Sequence, residues 1–188
     1  MSFPDSSPEA VLHRRIASYH QRQLAPAITG EESGIDDRAA TADLLDDFIS
    51  VERRSVRERA AEAPVDPDGF IHWFEALQIN GPGQGDPLFP WLATVANTEE
   101  LLWFLNQEIA GEAGFDDLVA LTMIKMPVRP KMEMARNLWD EFGRGNPLIV
   151  HGALLARLAY DLGLDANAEC VTWEALALSN LMIGLATN

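Results

Sequence analysis

Proline and glycine interrupt this chain at short intervals, and that punctuation constrains the fold more than any other feature. Pro64 and Pro67, the segment Gly81 to Pro87, Pro127 and Pro130, Gly143 to Pro147, and Gly163 each stop regular structure. Proline lacks a backbone donor and glycine resists ordering. Between these breaks apolar residues recur every three or four positions: Val11, Leu12, Ile16 and Tyr19; Leu44, Leu45, Phe48 and Val51; Phe70, Trp73, Phe74 and Leu77. That period is helical, and no alternating run of β type appears, so the expected fold class is all-α. Asp66 before Pro67 reads as a helix N-cap, Asn97 or Thr98 as another with Glu100 in its first turn, and Gly163 as a C-terminal stop. Helices are expected over Leu88 to Ala96, Asp116 to Met126, Lys131 to Phe142, and from Asn146-Pro147 to Gly163. Gly30 to Asp37 reads as a loop, and residues 1–8, with three Ser and two Pro, as a flexible leader to a single helical domain over 9–188.

A chain of 188 residues, 47% hydrophobic, suffices for a real core. No apolar run approaches a membrane span, and the N-terminus lacks the basic and apolar regions of a signal peptide. The single cysteine, Cys170, allows no intrachain disulfide, which fits a reducing, cytoplasmic setting. With 14 Lys+Arg against 29 Asp+Glu, the net charge of −15 repels phosphate backbones and anionic membranes, so nucleic acid and membrane are excluded as partners. Gly81 to Pro87 is too poor a match for a phosphate-cradling loop, since no Lys-Ser/Thr follows it.

The chemistry is expected where carboxylates and imidazole fall on apolar helix faces, because such groups must be paired, protonated or metal-bound. Leu101, Phe104 and Leu105 continue at Glu108 and Glu112; Met134 and Leu138 continue at Glu141; His151 stands in the stripe Leu148, Leu155, Leu158 and Leu162. Carboxylates and a histidine from neighbouring helices are the ligand set of non-haem iron or manganese sites. The plain alternative is that the three glutamates lie at helix ends and His151 is a satisfied core histidine.

The segments Leu101 to Glu108, Glu112 to Leu118, Ala135 to Gly145 and His151 to Leu155 together resemble the iron-containing redox enzymes of the haem-oxygenase-like diiron oxidase superfamily, over roughly Phe70 to Leu164. The Asn137 to Gly145 stretch, with a histidine ten positions after Glu141, carries most of that likeness. The resemblance implies a haem-oxygenase-like helical bundle that activates dioxygen with a dinuclear iron centre to oxidise a small organic substrate. It implies that Glu108 or Glu112 is the early iron ligand, Glu141 an additional or bridging carboxylate, and His151 the histidine ligand. The family's second iron depends on a closing His-x-x-x-Asp-x-x-His arrangement. This chain has four histidines, His13, His20, His72 and His151, and lacks that motif. It ends after the apolar stretch Leu176 to Leu185, so it reads as the N-terminal part of a longer bundle, incomplete at its C-terminus. An exposed apolar surface, and a homodimer formed through it, are then expected.

Two other readings stand beside this one. A non-catalytic helical binding module needs no iron; a haem protein of the same architecture needs His13, His20 or His72 facing its pocket. His13 and His20, near Arg14 and Arg15, read as surface residues, and Phe70 to Phe74 as core. Met123, Met126, Met132 and Met134 read as core filler that also suits a pliable substrate pocket. Arg129 and Arg136 are candidates to meet a substrate carboxylate.

Overall fold

The computed structural model describes residues 5–24, 35–112, 115–165 and 170–187, apart from the side chains of residues 35–37, 112, 115 and 116. These residues form α1 (Pro8–Leu24), α2 (Ile35–Ser55), α3 (Arg57–Ala60), α4 (Pro67–Asn80), α5 (Leu88–Thr94), α6 (Thr98–Glu112), α7 (Phe115–Ile124), α8 (Val128–Glu141), α9 (His151–Leu162) and α10 (Trp173–Thr187). No strand occurs among the described residues, and the class is all-α as expected. No helix among them is long and apolar enough to cross a membrane.

Local chemistry accounts for the helix ends. The Ser7 hydroxyl accepts the Ala10 amide at 3.2 Å, which starts α1 at Pro8, at the end of the stretch read as a leader. Asp66 accepts the Gly69 amide at 2.7 Å, with Pro67 at the first helical position of α4. Asn97 and Glu100 form a reciprocal capping box: the side-chain oxygen of Asn97 accepts the Glu100 amide at 3.0 Å, and the Glu100 carboxylate accepts the Asn97 amide at 2.8 Å. Gly163, left-handed at φ 66°, closes α9. Three boundaries differ from expectation. The eighth helix begins at Val128 rather than Lys131, with Pro130, read as a stop, inside its first turn, where a missing amide donor costs no helical bond. The second helix begins at Ile35, inside the stretch read as a loop, whose residues 30–34 lie outside those described. The ninth begins at His151 rather than Pro147, because Asn146 to Val150 form turns.

The described residues group into two compact units, residues 1–46 with 102–188, and residues 47–101. In the second unit, α4 has no buried residue: Phe70 stacks on Phe74 at 6.1 Å and tilts against Trp73 at 5.7 Å, while Phe70, Ile71 and Phe74 remain exposed. The reading of this run as core is therefore corrected: its aromatics contact one another along a helix that sinks none of them. His72 is exposed and faces Glu75 at 3.8 Å, one helical turn on.

The first unit is centred on α1 and α10. A stripe of Ala10, His13, Ile16 and His20 on α1 is buried, as are Leu176, Ser179, Asn180, Ile183 and Gly184 on α10. The reading of His13 and His20 as surface residues is thus wrong: they are 4% and 2% exposed. Their spacing of seven places both on the face that carries Ile16. A buried amide meets them there, since Asn180 donates to the His13 carbonyl at 2.9 Å and approaches its Nδ1 at 3.4 Å. The His13 ring stacks on Trp173 at 5.8 Å. Ala110, Val171 and Leu176 form an apolar cluster with Ala17 and Ala175 packed on it, which joins α1, α6 and α10.

Burial pushes the His20 imidazole below its ordinary value of 6.5, and the adjacent Asn180 amide opposes that shift only in part. The unfolded chain then binds more protons than the folded one below about pH 6.5, so stability is full above that pH and is lost as the pH falls toward the folded value. Thermal melts between pH 7.5 and 5.5 should show a falling Tm. His20→Phe should flatten that dependence, and an unchanged slope would assign it to other groups.

Candidate metal centre

The last residue of α8 and the first of α9 meet. His151 Nδ1 lies 2.7 Å from Glu141 Oε2; the carboxylate side chain is 19% exposed and the imidazole 45%. Glu141 sits on the face of α8 that carries Met134 and Leu138, at i+7 and i+3, and all three are half-buried. The loop between the two helices brings His151 back to it.

That loop is specified tightly. Gly143, Arg144 and Gly145 all have positive φ, at 58°, 54° and 86°. Glycine adopts this conformation without penalty, whereas Arg144 needs support and finds it in Asp140, whose carboxylate accepts from its Nε at 2.7 Å. A Cβ on Gly143 would lie 2.7–2.8 Å from side-chain and backbone atoms of Ile149, so only glycine allows the returning chain this close. Successive turn bonds, Gly145 to Phe142, Asn146 to Gly143 and Ile149 to Asn146, at 3.0–3.1 Å, complete the reversal. The ten-residue spacing in the motif is the length of chain needed to bring imidazole to carboxylate.

The other expected ligands behave differently. Glu108 is exposed, which corrects its assignment to the inward face of α6. Gln107 is buried instead, and its side-chain oxygen accepts the Thr172 amide at 2.8 Å, tying α6 to the chain just before α10. One helical residue is a 100° turn, so the apolar stripe extrapolated from Leu101 missed the buried face by one position. The side chain of Glu112 lies outside the described residues. Among the described residues no group of three or more His, Cys, Asp or Glu is placed to hold a metal ion. Gln107, Thr172 and Asn180 carry no motif; only the register of distant helices reveals them.

Met134 and Met182, with Leu118, Val119, Thr122 and Leu185, line an apolar hollow of about 330 Å3 on α7, α8 and α10. Met134 shares the Glu141 face, about 10 Å away along the axis at 1.5 Å per residue. Met132 is exposed rather than core, while Met123, Met126 and Met134 are half-buried. Arg136 is paired with Glu133 on its own helix at 2.6 Å. The Cys170 thiol is free and exposed.

Residues 102–188 match the sequence model of a haem-oxygenase-type family described as iron-containing redox enzymes. In this stretch, which holds α7 to α10 and most of α6, the chain is similar to that family, in agreement with the resemblance read from the Glu141–His151 motif. The match begins later than Phe70 and runs past Leu164 through α10. No curated protein and no solved structure gives a match.

Proposed function

We propose that the chain is a non-haem iron oxidoreductase of the dioxygen-activating kind, acting on a small organic substrate in the cytoplasm, with Glu141 and His151 as two of the iron ligands. The observation that carries this reading is the 2.7 Å approach of imidazole to carboxylate, made by a loop that tolerates little else. The donors fit in kind, since carboxylate oxygen and imidazole nitrogen both suit ferrous iron. Two side chains do not complete a coordination sphere, and Glu108 or Glu112 is the proposed third donor, reached by rotation of an exposed side chain or from the end of α6.

Ferrous iron held there would supply electrons to dioxygen; the remaining work belongs to the protein. Glu141 Oε2 and His151 Nδ1 stand 2.7 Å apart, so both can serve as donors to a metal ion in place of the hydrogen bond between them. The open hollow lined by Met134 and Met182 would receive an apolar part of the substrate. With one histidine and at most three carboxylates in the proposed set, the chain should hold one iron tightly rather than a dinuclear centre. Anaerobic titration with Fe(II), followed by metal analysis after desalting, should return no more than about one iron per chain. Two retained irons would overturn the single-site arrangement, and none would favour a helical binding module.

One observation favours that second reading. The α9 helix has no buried residue; Leu158 and Leu162 are 42% and 39% exposed, and Leu148 just before it is 79% exposed. Leu101, Leu105 and Leu155 are only half-buried. Such a face invites association, and a second copy of the chain is the proposed occupant. Sedimentation should detect a dimer that Leu158→Glu dissociates; a monomer at every concentration would remove the homodimer from the account.

A further inference from the structure

The last three residues of α8 each brace a different point of the loop that follows. Glu141 meets His151 at 2.7 Å, Asp140 accepts from Arg144 Nε at 2.7 Å, and the Trp139 ring stands so close to Gly145 that a Cβ there would lie 3.0 Å from it. Successive helical positions diverge by 100°, so three adjacent side chains reach three separate targets. One turn of helix thus grips the loop along its length.

The middle grip does little for stability. Asp140 and Arg144 are 56% and 75% exposed, and a pair so open to water contributes little to the fold. Arg144, however, is the one residue other than glycine with a positive φ among the described residues. Gly143 and Gly145 take that conformation unaided, whereas a residue with a Cβ is driven toward right-handed backbone. A side chain anchored four residues back opposes that drift. Arginine at the centre of Gly143-Arg-Gly145 therefore makes the shape of the loop depend on Asp140, and the shape of the loop decides where His151 stands.

We propose that Asp140 is a positioning residue for the candidate metal centre: by anchoring Arg144 it holds the loop in the shape that brings the His151 imidazole to the Glu141 carboxylate. The inference rests on the ligand roles proposed for Glu141 and His151 and extends them to a carboxylate that is turned toward the loop instead. Without the anchor, Arg144 relaxes toward right-handed backbone for part of the time, and the two donors are then not presented together.

The test measures anaerobic Fe(II) binding to the full chain and, without metal at pH 7.5, the ring nitrogen resonances of 15N-labelled histidine. His151 is assigned by the loss of its signals in His151→Gln. Asp140→Ala should weaken Fe(II) binding about five-fold, the lower end of the cost of left-handed backbone in a residue with a Cβ. It should also move the His151 signals toward those of Glu141→Gln. Adding Arg144→Gly to Asp140→Ala should restore both, because glycine needs no anchor. Asp140→Asn should lose less than Asp140→Ala, since its amide oxygen still accepts from Arg144 Nε. Unchanged affinity and unchanged ring signals in Asp140→Ala would overturn the proposal. A loss that Arg144→Gly leaves uncorrected, or one equally large in Asp140→Asn, would overturn it too by tracing the effect to the charge of Asp140. If the wild-type chain retains no Fe(II), the proposed centre fails, and the ring signals alone decide whether Asp140 positions His151.

Discussion

Gly143→Ala is expected to destabilise the protein by about 2–5 kcal/mol, combining a left-handed conformation with an overpacked contact. The new methyl would stand 2.7–2.8 Å from Ile149, including its backbone carbonyl, which cannot move aside without shifting the chain that leads to His151. Gly163→Ala is the matched control. That glycine has φ 66°, but nothing lies within 4 Å of its Cβ position, so only the conformational cost of about 1 kcal/mol remains. Urea denaturation of both variants separates the two terms. Equal losses would show that Ile149 does not crowd Gly143 and that the loop is looser than its hydrogen bonds imply.

The second large effect is expected at the pair itself. Glu141→Gln and His151→Ala should each weaken Fe(II) binding by at least about 100-fold, beyond the 10–100-fold that losing an orienting partner costs. Stability should change little. His151 is nearly half exposed, and a pair open to solvent is worth about 0–1 kcal/mol. That contrast distinguishes a ligand from a structural ion pair, because a structural role would move the melting temperature and leave the metal affinity alone. Wild-type Fe(II) affinity in both variants would remove Glu141 and His151 from the proposed centre. Glu108→Gln in the same assay decides whether the exposed glutamate of α6 contributes; full affinity there would leave Glu112 as the candidate third donor.

Helix existence and several helix ends were legible from local chemistry alone. Asp66, Asn97 with Glu100, and Gly163 act within three or four residues of where they stand, so nothing distant is needed to read them. The spacing of Glu141 and His151 was legible for a related reason, since the loop that joins them is short and its glycines allow few paths. Periodicity, in contrast, shows which residues share a helix face but not which face meets the core. For α6 the answer differed by one residue, and Gln107 rather than Glu108 went inside. For α1, His13 and His20 were read as surface residues beside arginines, yet Asn180, 167 residues from His13, accompanies them in the interior. The sequence by itself thus determined the helices, those ends that carry their own capping chemistry, and the one contact that a short loop enforces. The tertiary structure alone decided which faces are buried, because a buried polar side chain depends on a partner that arrives from far along the chain.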